Sequence, residues 1–202
     1  MENDVMKCIR ERRSIRNYEE RELPGDILKE IIMAGRYAPS AENRQPWKFI
    51  VVTNRDVISF LSRRTKEQIG KMLKQKRKWK KKFNELEDEQ TVLFLQAVAL
   101  SKRDMVFHNA PAAVFIVTPD SIFNDESCAC AAQNMMLAAR SLGVGSCWVG
   151  FAKFLEWDNE ATEKLGMPEG HHIAASIVFG YHENLPKSTP RKPTADIIKW
   201  ID

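Results

Sequence analysis

The chain reads CACAAQNMMLAARSLGVGSCWVGF from residue 128 to residue 151, and its type of fold can be inferred from these residues. Residues 128–139 consist largely of Ala, Cys and Met. Because small side chains let neighbouring elements approach closely, we predict a buried central helix here. Gly143 and Gly145 end that helix, and the apolar residues 146–151 favour a strand. A buried helix followed by a buried strand indicates a domain built from layers of helices and sheet.

Helix and strand patterns alternate on both sides of this stretch. Apolar spacing predicts a helix at 2–13, capped by Asn3 or Asp4, and the central helix is expected to be capped by Asp120 or Ser121. Further strands are predicted at 47–53, 111–118 and 173–180, and further helices begin at 24, 56 and 158. This alternation is typical of an α/β or α+β fold, and we expect a single domain spanning residues 1–202.

Residues 65–104 form a long, charged segment that is compatible with helix. Eight of the twelve residues at 71–82 are Lys or Arg, and an acidic cluster follows at 85–89. A run of this kind is more often a solvated helix face than a binding site. We therefore expect one or two helices that form a peripheral excursion from the core.

The composition is that of a soluble protein, with 44% hydrophobic and 29% charged residues. Apolar runs reach about eight residues, which is too short to cross a bilayer, and residues 1–16 lack the apolar stretch of a signal peptide. The basic run at 71–82 and the acidic cluster that follows it explain most of the net charge of +4. The chain lacks a broad basic face with interleaved aromatic residues, so we do not expect a nucleic acid as partner. Because the apolar runs are short, we do not expect a membrane as partner either.

The cysteines and histidines are not spaced like metal ligands. The four cysteines lie among apolar or small residues and give no disulfide framework, which favours a reducing cytoplasm. The four histidines are dispersed, and the neighbours His171 and His172 would point to opposite faces of a strand. We expect no metal site.

A cluster of cationic side chains, Arg12-Arg13-Ser14-Ile15-Arg16, follows the first predicted helix. Guanidinium groups carry a permanent charge and a planar fork of donors, which suits a phosphate. A helix C-terminus repels anions, so the side chains themselves would have to bind it. The alternative is a cationic helix end that the helix dipole favours.

A polar loop at 38–47, APSAENRQPW, leads directly into the first predicted strand. Its Ser40, Asn43 and Gln45 side chains would present hydroxyl and amide groups to a heterocycle if a rigid scaffold holds the loop. The alternative is a turn whose side chains satisfy one another. Each of these motifs alone is weak.

Taken together and in order, the motifs resemble the FMN-dependent nitroreductase family. They are RRSxR near the N-terminus, APSxxNxQPW about 25 residues later, LGxGxCWxG in the second half, and a basic C-terminal tail. The resemblance covers nearly the whole chain and is weakest at 65–104. It implies an α+β fold: an α/β/α sandwich with a mixed sheet flanked by helices. It also implies a homodimer that exchanges C-terminal arms and holds FMN at its interface.

The resemblance also assigns roles to individual residues. Those expected to bind the phosphate and ribityl chain are Arg12, Arg13, Ser14 and Arg191, while Arg16 reaches the pyrimidine edge of the flavin. Those expected from the partner subunit are Pro39, Ser40 and Ala41, supported by Asn43 and Gln45. The backbone N–H groups around Val149 and Gly150 are expected to face flavin N5 and O4.

The implied activity is transfer of electrons from NAD(P)H through bound FMN to a nitroaromatic, quinone or similar small-molecule acceptor, in a ping-pong cycle. No catalytic side chain is expected. The alternatives are reductive dehalogenation or flavin fragmentation on the same fold, or a basic-helix protein that binds nucleic acid or an acidic partner. In a flavin-dependent enzyme, the run at 71–82 would be either a solvated surface or part of a lid over the flavin, in which Trp79 or the following Phe83 stacks on an aromatic acceptor.

Overall fold

A computed structural model describes residues 3–188 and 190–201. The helices are α1 Asp4–Glu11, α2 Gly25–Arg36, α3 Arg55–Lys74, α4 Lys76–Trp79, α5 Glu89–Leu100, α6 Asn124–Ser141 and α7 Asn159–Leu165. The strands are β1 Lys48–Val52, β2 Ala112–Pro119, β3 Gly145–Trp148 and β4 His171–Gly180. Three 3₁₀ segments lie at Ala41–Asn43, Asn84–Glu87 and Gly150–Trp157. In the part of the chain that the structure describes, no helix is both long enough and apolar enough to cross a membrane.

The strands form one sheet in the order β1-β2-β4-β3, and each neighbouring pair is antiparallel. We expected a mixed sheet; the parallel contact found among the described residues is a single bridge between Ser14 and Ser146. If a single crossover helix joined β1 to β2, the chain would enter β2 from the opposite end of the sheet and the two strands would be parallel. Between β1 and β2 the chain instead makes two long helices, α3 and α5, which pack on each other and return it to the end of the sheet that it left.

Strand β2 lies at the centre of the molecule and is buried on both faces. Its residues alternate: Ala113, Phe115 and Val117 belong to one apolar cluster, and the intervening Val114 and Ile116 belong to the other. The second cluster is covered by α2 and α6, and the first by α3, α5 and the Gly150–Trp157 segment. The expected α/β/α sandwich is therefore present.

The central helix predicted from residues 128–139 is confirmed as α6. Its buried residues include Cys128, Ala131, Ala132, Met135 and Ala139. The predicted caps of α6 are wrong, because the residue before the helix is Phe123, which has a left-handed φ of 67° and offers no side-chain cap.

The segment 65–104 is helical as predicted, but it is not merely peripheral. Its buried apolar residues belong to the core: Ile69, Met72, Leu86, Leu95 and Val98. Polar side chains at Thr65 and Gln68 complete the buried face of α3. Thr65 donates to the Leu61 carbonyl and Gln68 donates to Asp158, which makes their burial possible. Polar residues in core positions concealed this face in the sequence.

A buried ion pair joins α3 to the start of α7. The Asp158 carboxylate accepts two hydrogen bonds from Arg64, each 2.9 Å long, and one from Gln68 at 2.5 Å. It also caps α7 by accepting from the Ala161 amide. Burial alone would raise the pKa of Asp158, but the hydrogen bonds from Arg64 and Gln68 outweigh it and lower this pKa.

Asp158→Ala should lower the free energy of unfolding by about 3 kcal/mol, measured by urea denaturation. This is the low end for a broken buried pair, because the Arg64 side chain keeps 23% of its area exposed. The matched control is Glu160→Ala, which removes an exposed carboxylate 3.3 Å from the same guanidinium and should cost less than about 1 kcal/mol.

The destabilisation by Asp158→Ala should also depend on pH. Because the pKa of Asp158 is lower in the folded than in the unfolded chain, its contribution is complete above about pH 4 and is lost as the pH falls through the folded pKa. The difference between wild type and variant should shrink in acid. Equal destabilisation by both substitutions, or a difference that grows in acid, would contradict this account.

Candidate functional site

A basic cavity of about 580 Å³ lies where the end of α1 meets the C-terminal tail. Of the residues predicted to bind phosphate, the structure brings together Arg12, Arg13, Ser14 and Arg191, and Arg16 lines the same cavity. The tail adds Pro186, Lys187, Ser188 and Pro190 to its wall. Arg10 also lines this cavity, and five guanidinium groups around one space of this size attract an anion.

The segment after α1 is held in place by the edge of the sheet. The Ile15 amide donates to the Ser146 carbonyl at 2.9 Å, and the Ile15 side chain is buried. The Tyr18 hydroxyl donates to the Ile15 carbonyl at 2.7 Å. Because successive side chains of an extended segment point to opposite sides, burial of Ile15 directs Ser14 and Arg16 into the cavity.

Two cationic side chains of this region, Arg13 and Lys192, already have partners within the protein. Arg13 donates from Nη1 to the carbonyls of Arg10 and Arg12, at 2.5 and 2.9 Å, and so also caps the end of α1. Lys192 pairs with Asp196 and does not line the cavity, in contrast to its neighbour Arg191.

A second cavity, of about 810 Å³, adjoins the first and is mainly apolar. Arg16 is the residue that lines both cavities. The walls are formed by the Cys147–Phe151 region, by α5 and by the loop before β2, and include Leu86, Phe94, Leu95, Met105, Val106 and Phe154. The two cavities together form a continuous site. This site suits a molecule that has an anionic group at one end and a flat apolar body at the other.

Val149 and Gly150 follow directly after β3, and both line this cavity. The Val149 amide donates to the Ser176 carbonyl at 2.8 Å, so it is already used within the sheet. Beside Gly150 there is open space, since a Cβ atom placed there would meet nothing within 4 Å. The adjacent Cys147 thiol also lines the cavity, and burial raises its pKa.

A loop that sequence reasoning did not single out forms part of the cavity wall. His108 and Asn109 both have left-handed φ angles, 57° and 53°, which non-glycine residues rarely adopt. The half-buried Asp104 carboxylate holds them by accepting from Ser62 and from the amides of Val106, Phe107 and Asn109. His108 faces the cavity, and burial lowers its pKa. The signal in the sequence for this loop is Asp104, because aspartate is common at the start of a turn.

The polar loop after α2 lies away from both cavities within one chain. Pro39, Ser40, Ala41, Asn43 and Gln45 line neither of them. The loop is strained: Glu42, Asn43 and Gln45 all have left-handed φ angles. Ser40 accepts from the Gln45 amide, and Gln45 donates to Asn43, which stabilises this conformation. Strained polar loops of this kind are concentrated at functional sites.

The two aromatic residues considered as a lid are placed differently. Phe83 lines the apolar cavity together with Leu86 and Phe94, whereas Trp79 does not. Trp79 lies 5.9 Å from the Phe83 ring in a stacked arrangement and 4.9 Å from the Trp157 ring in an edge contact.

An α/β/α sandwich in which one arginine lines both a basic and an apolar cavity has the shape and charge to accept a flat, anionic ligand. Residues 9–181 match the nitroreductase family. The chain belongs to this family, and the resemblance predicted from its motifs is confirmed.

Curated relatives match over most of their lengths. A protein of Archaeoglobus fulgidus, named as a candidate NADH dehydrogenase/NAD(P)H nitroreductase, is 29% identical over 184 residues, which are 88% of this chain and 85% of that protein. The 4-nitrobenzoate reductase of a Nocardioides species is 25% identical over 211 residues, covering 92% of this chain and 85% of that enzyme.

Among solved structures, the chain is similar to a nitroreductase from Bacteroides fragilis that was crystallised with bound FMN. The TM-score is 0.80 at 29% identity, and the match covers 98% of this chain and all of that one. This similarity confirms the α+β fold predicted from the sequence.

Proposed function

We propose that the protein is an FMN-dependent oxidoreductase that passes electrons from NAD(P)H to a small aromatic acceptor. The observation that carries this proposal is the pair of adjoining cavities, basic at one end, apolar at the other and sharing Arg16. Family membership and the FMN bound in the Bacteroides fragilis structure support the choice of cofactor.

The residues present fit FMN. The guanidinium groups of Arg12, Arg13 and Arg191, with the Ser14 hydroxyl, match a phosphate dianion and the start of the ribityl chain. The apolar cavity suits the ring system, and Arg16 stands between the two ends. FMN, when bound, supplies the redox chemistry: it takes up hydride from the nicotinamide and gives electrons to the acceptor.

The chain's own residues set the conditions for that chemistry. Arg16 places a permanent positive charge beside the ring, which favours the added negative charge of a reduced cofactor. Because the Val149 amide is bonded to Ser176, the amide of Gly150 is the donor that we assign to the ring edge. The apolar walls exclude water and accept a flat ring by contact alone.

The acceptor that fits this cavity is a flat aromatic molecule, such as a nitroaromatic or a quinone. Phe83, Phe94 and Phe151 provide aromatic faces around a space with few polar groups. Because both the nicotinamide and the acceptor must reach the same ring, we propose that they bind in turn, in a ping-pong cycle. The described cysteines are all free thiols, which supports a reducing cytoplasm as the site of action.

The complete site is proposed to need a second copy of the chain. The loop at 39–45 lines neither cavity of its own chain, and the tail exposes Ile197, Ile198 and Trp200 by 61, 101 and 77% of their areas. Exposed apolar side chains in a row mark an interaction surface. We propose that the tail packs on a partner subunit and that the partner's loop completes the flavin wall.

The purified protein should be yellow, with the absorbance of oxidised flavin, and should bleach when NADH or NADPH is added without oxygen. Adding 4-nitrobenzoate or a benzoquinone should restore the colour. The measurement is anaerobic stopped-flow absorbance, with each nicotinamide tested separately. A protein that binds no flavin on reconstitution, or that binds FMN but is not reduced by either nicotinamide, would refute the proposed function.

Arg191→Ala should weaken FMN binding about tenfold or more, because a hydrogen bond to a charged group contributes about 1.5–3 kcal/mol. Riboflavin, which lacks the phosphate, should be affected much less. The matched control is Lys192→Ala, which removes the neighbouring cation that lies outside the cavity and should leave both affinities unchanged. Flavin fluorescence quenching measures the affinity of the wild type and of each variant for FMN and for riboflavin. Equal weakening of FMN and riboflavin would mean that Arg191 has a structural role only.

Sedimentation velocity at micromolar concentration should show a dimer, and the double substitution Ile198→Ser/Trp200→Ser should shift the protein towards monomer. Both side chains are exposed in the single chain, so their loss should not unfold it. The control is Ile122→Ser, which removes an apolar side chain of similar exposure from another surface. A wild-type protein that is monomeric with flavin bound would contradict the shared site.

A further inference from the structure

A third concave surface, which we call the tryptophan groove, lies beside the apolar cavity on its outer side. It has a volume of about 460 Å³ and is lined by Gln68, Lys71, Met72, Gln75, Lys78, Trp79, Lys82, Phe154 and Trp157. Met72 and Phe154 line both the groove and the apolar cavity, so their side chains lie between the two spaces. None of the residues assigned to FMN borders the groove.

The rim of the groove carries positive charge that the protein does not neutralise. Lys71, Lys78 and Lys82 are exposed. Among the residues that the structure describes, no carboxylate lies within 4 Å of any of the eight basic side chains at 71–82. Like charges held this close repel one another, so an anion bound among them would relieve that repulsion.

Two carboxylates near the groove have other hydrogen-bond partners. Asp158 is bonded to Arg64 and Gln68, and Glu156 accepts from the Ile173 amide. Burial raises the pKa of Glu156, and the Ile173 amide and the charges of Lys153 and Lys82 partly oppose that rise. None of the described residues that line the groove is acidic, so the lining itself carries positive charge only.

The walls of the groove are aromatic. Trp79 and Trp157 meet edge to face, with ring centroids 4.9 Å apart, and Phe83 and Phe154 pack behind them. The Lys82 ammonium lies 4.7 Å from the centre of the Trp157 ring, which fixes one cation next to an aromatic wall. Both indole rings are only half-buried, so they remain available for contact with a ligand.

From this arrangement we infer that the tryptophan groove is a second binding site, specific for a planar aromatic anion such as an aromatic carboxylate or sulfonate. The ring of the ligand contacts Trp79 and Trp157, and its acidic group lies among Lys71, Lys78 and Lys82. A neutral aromatic molecule would gain the ring contacts but not the charge contacts. This site is distinct from the flavin site and does not depend on the proposed redox activity.

The test is binding of 2-naphthoate to FMN-saturated protein, measured by isothermal titration calorimetry, with the neutral 2-naphthamide as matched ligand. Naphthoate should bind at least about fivefold more tightly than the amide, a modest factor because exposed charge contacts are weak. The preference should be lost in Lys78→Gln/Lys82→Gln. It should persist in Lys74→Gln/Lys81→Gln, which removes the same charge from exposed lysines of the same run that lie outside the groove.

Other outcomes would overturn the inference. If both double variants weaken naphthoate equally, the charge of the whole run attracts the anion without a site. If neither variant has an effect, the naphthoate binds in another cavity. If affinity falls as protein concentration rises, a second copy of the chain covers the groove. Circular dichroism melting curves verify that the variants remain folded.

Discussion

The burial of β2 on both faces is the constraint from which the rest of the structure follows. Val114 and Ile116 need cover on one side, and Phe115 and Val117 need it on the other. A strand of this kind is stable only between two layers of helices. Helices α2 and α6 form one layer, and α3 with α5 forms the other. That arrangement leaves β3 at an edge of the sheet, where its outer side is available to the segment that carries the arginines.

A close backbone approach at this edge shapes the site. A Cβ atom on Gly145 would come within 2.8 Å of the Ile15 side chain and 2.7 Å of His182. Glycine therefore allows residues 14–16 to lie against β3, and the bond from Ile15 to Ser146 fixes their register. The arginines reach a common cavity because one glycine leaves room for the chain that carries them.

The segment 65–104 combines scaffold and surface in a way that its charge conceals. Ile69 and Met72 hold it in the core, and Phe83 and Phe94 form walls of the apolar cavity. The lysines of the same segment remain on the outside. The inward side of the segment thus supports the apolar cavity, while its outer side presents positive charge. This is the part of the chain where the family resemblance is weakest.

The sequence by itself determined the identity of the elements, the central helix α6 and the family, because these depend on local spacing and on motifs read along the chain. Only the tertiary structure decided that Val149 gives its amide to Ser176, and that His108 lines the cavity while Trp79 does not. It also decided that α3 and α5 return the chain to give an antiparallel sheet. These outcomes depend on which distant surfaces pack together. A local pattern cannot specify this, because a buried glutamine such as Gln68 becomes acceptable only when Asp158 lies within hydrogen-bonding distance of it.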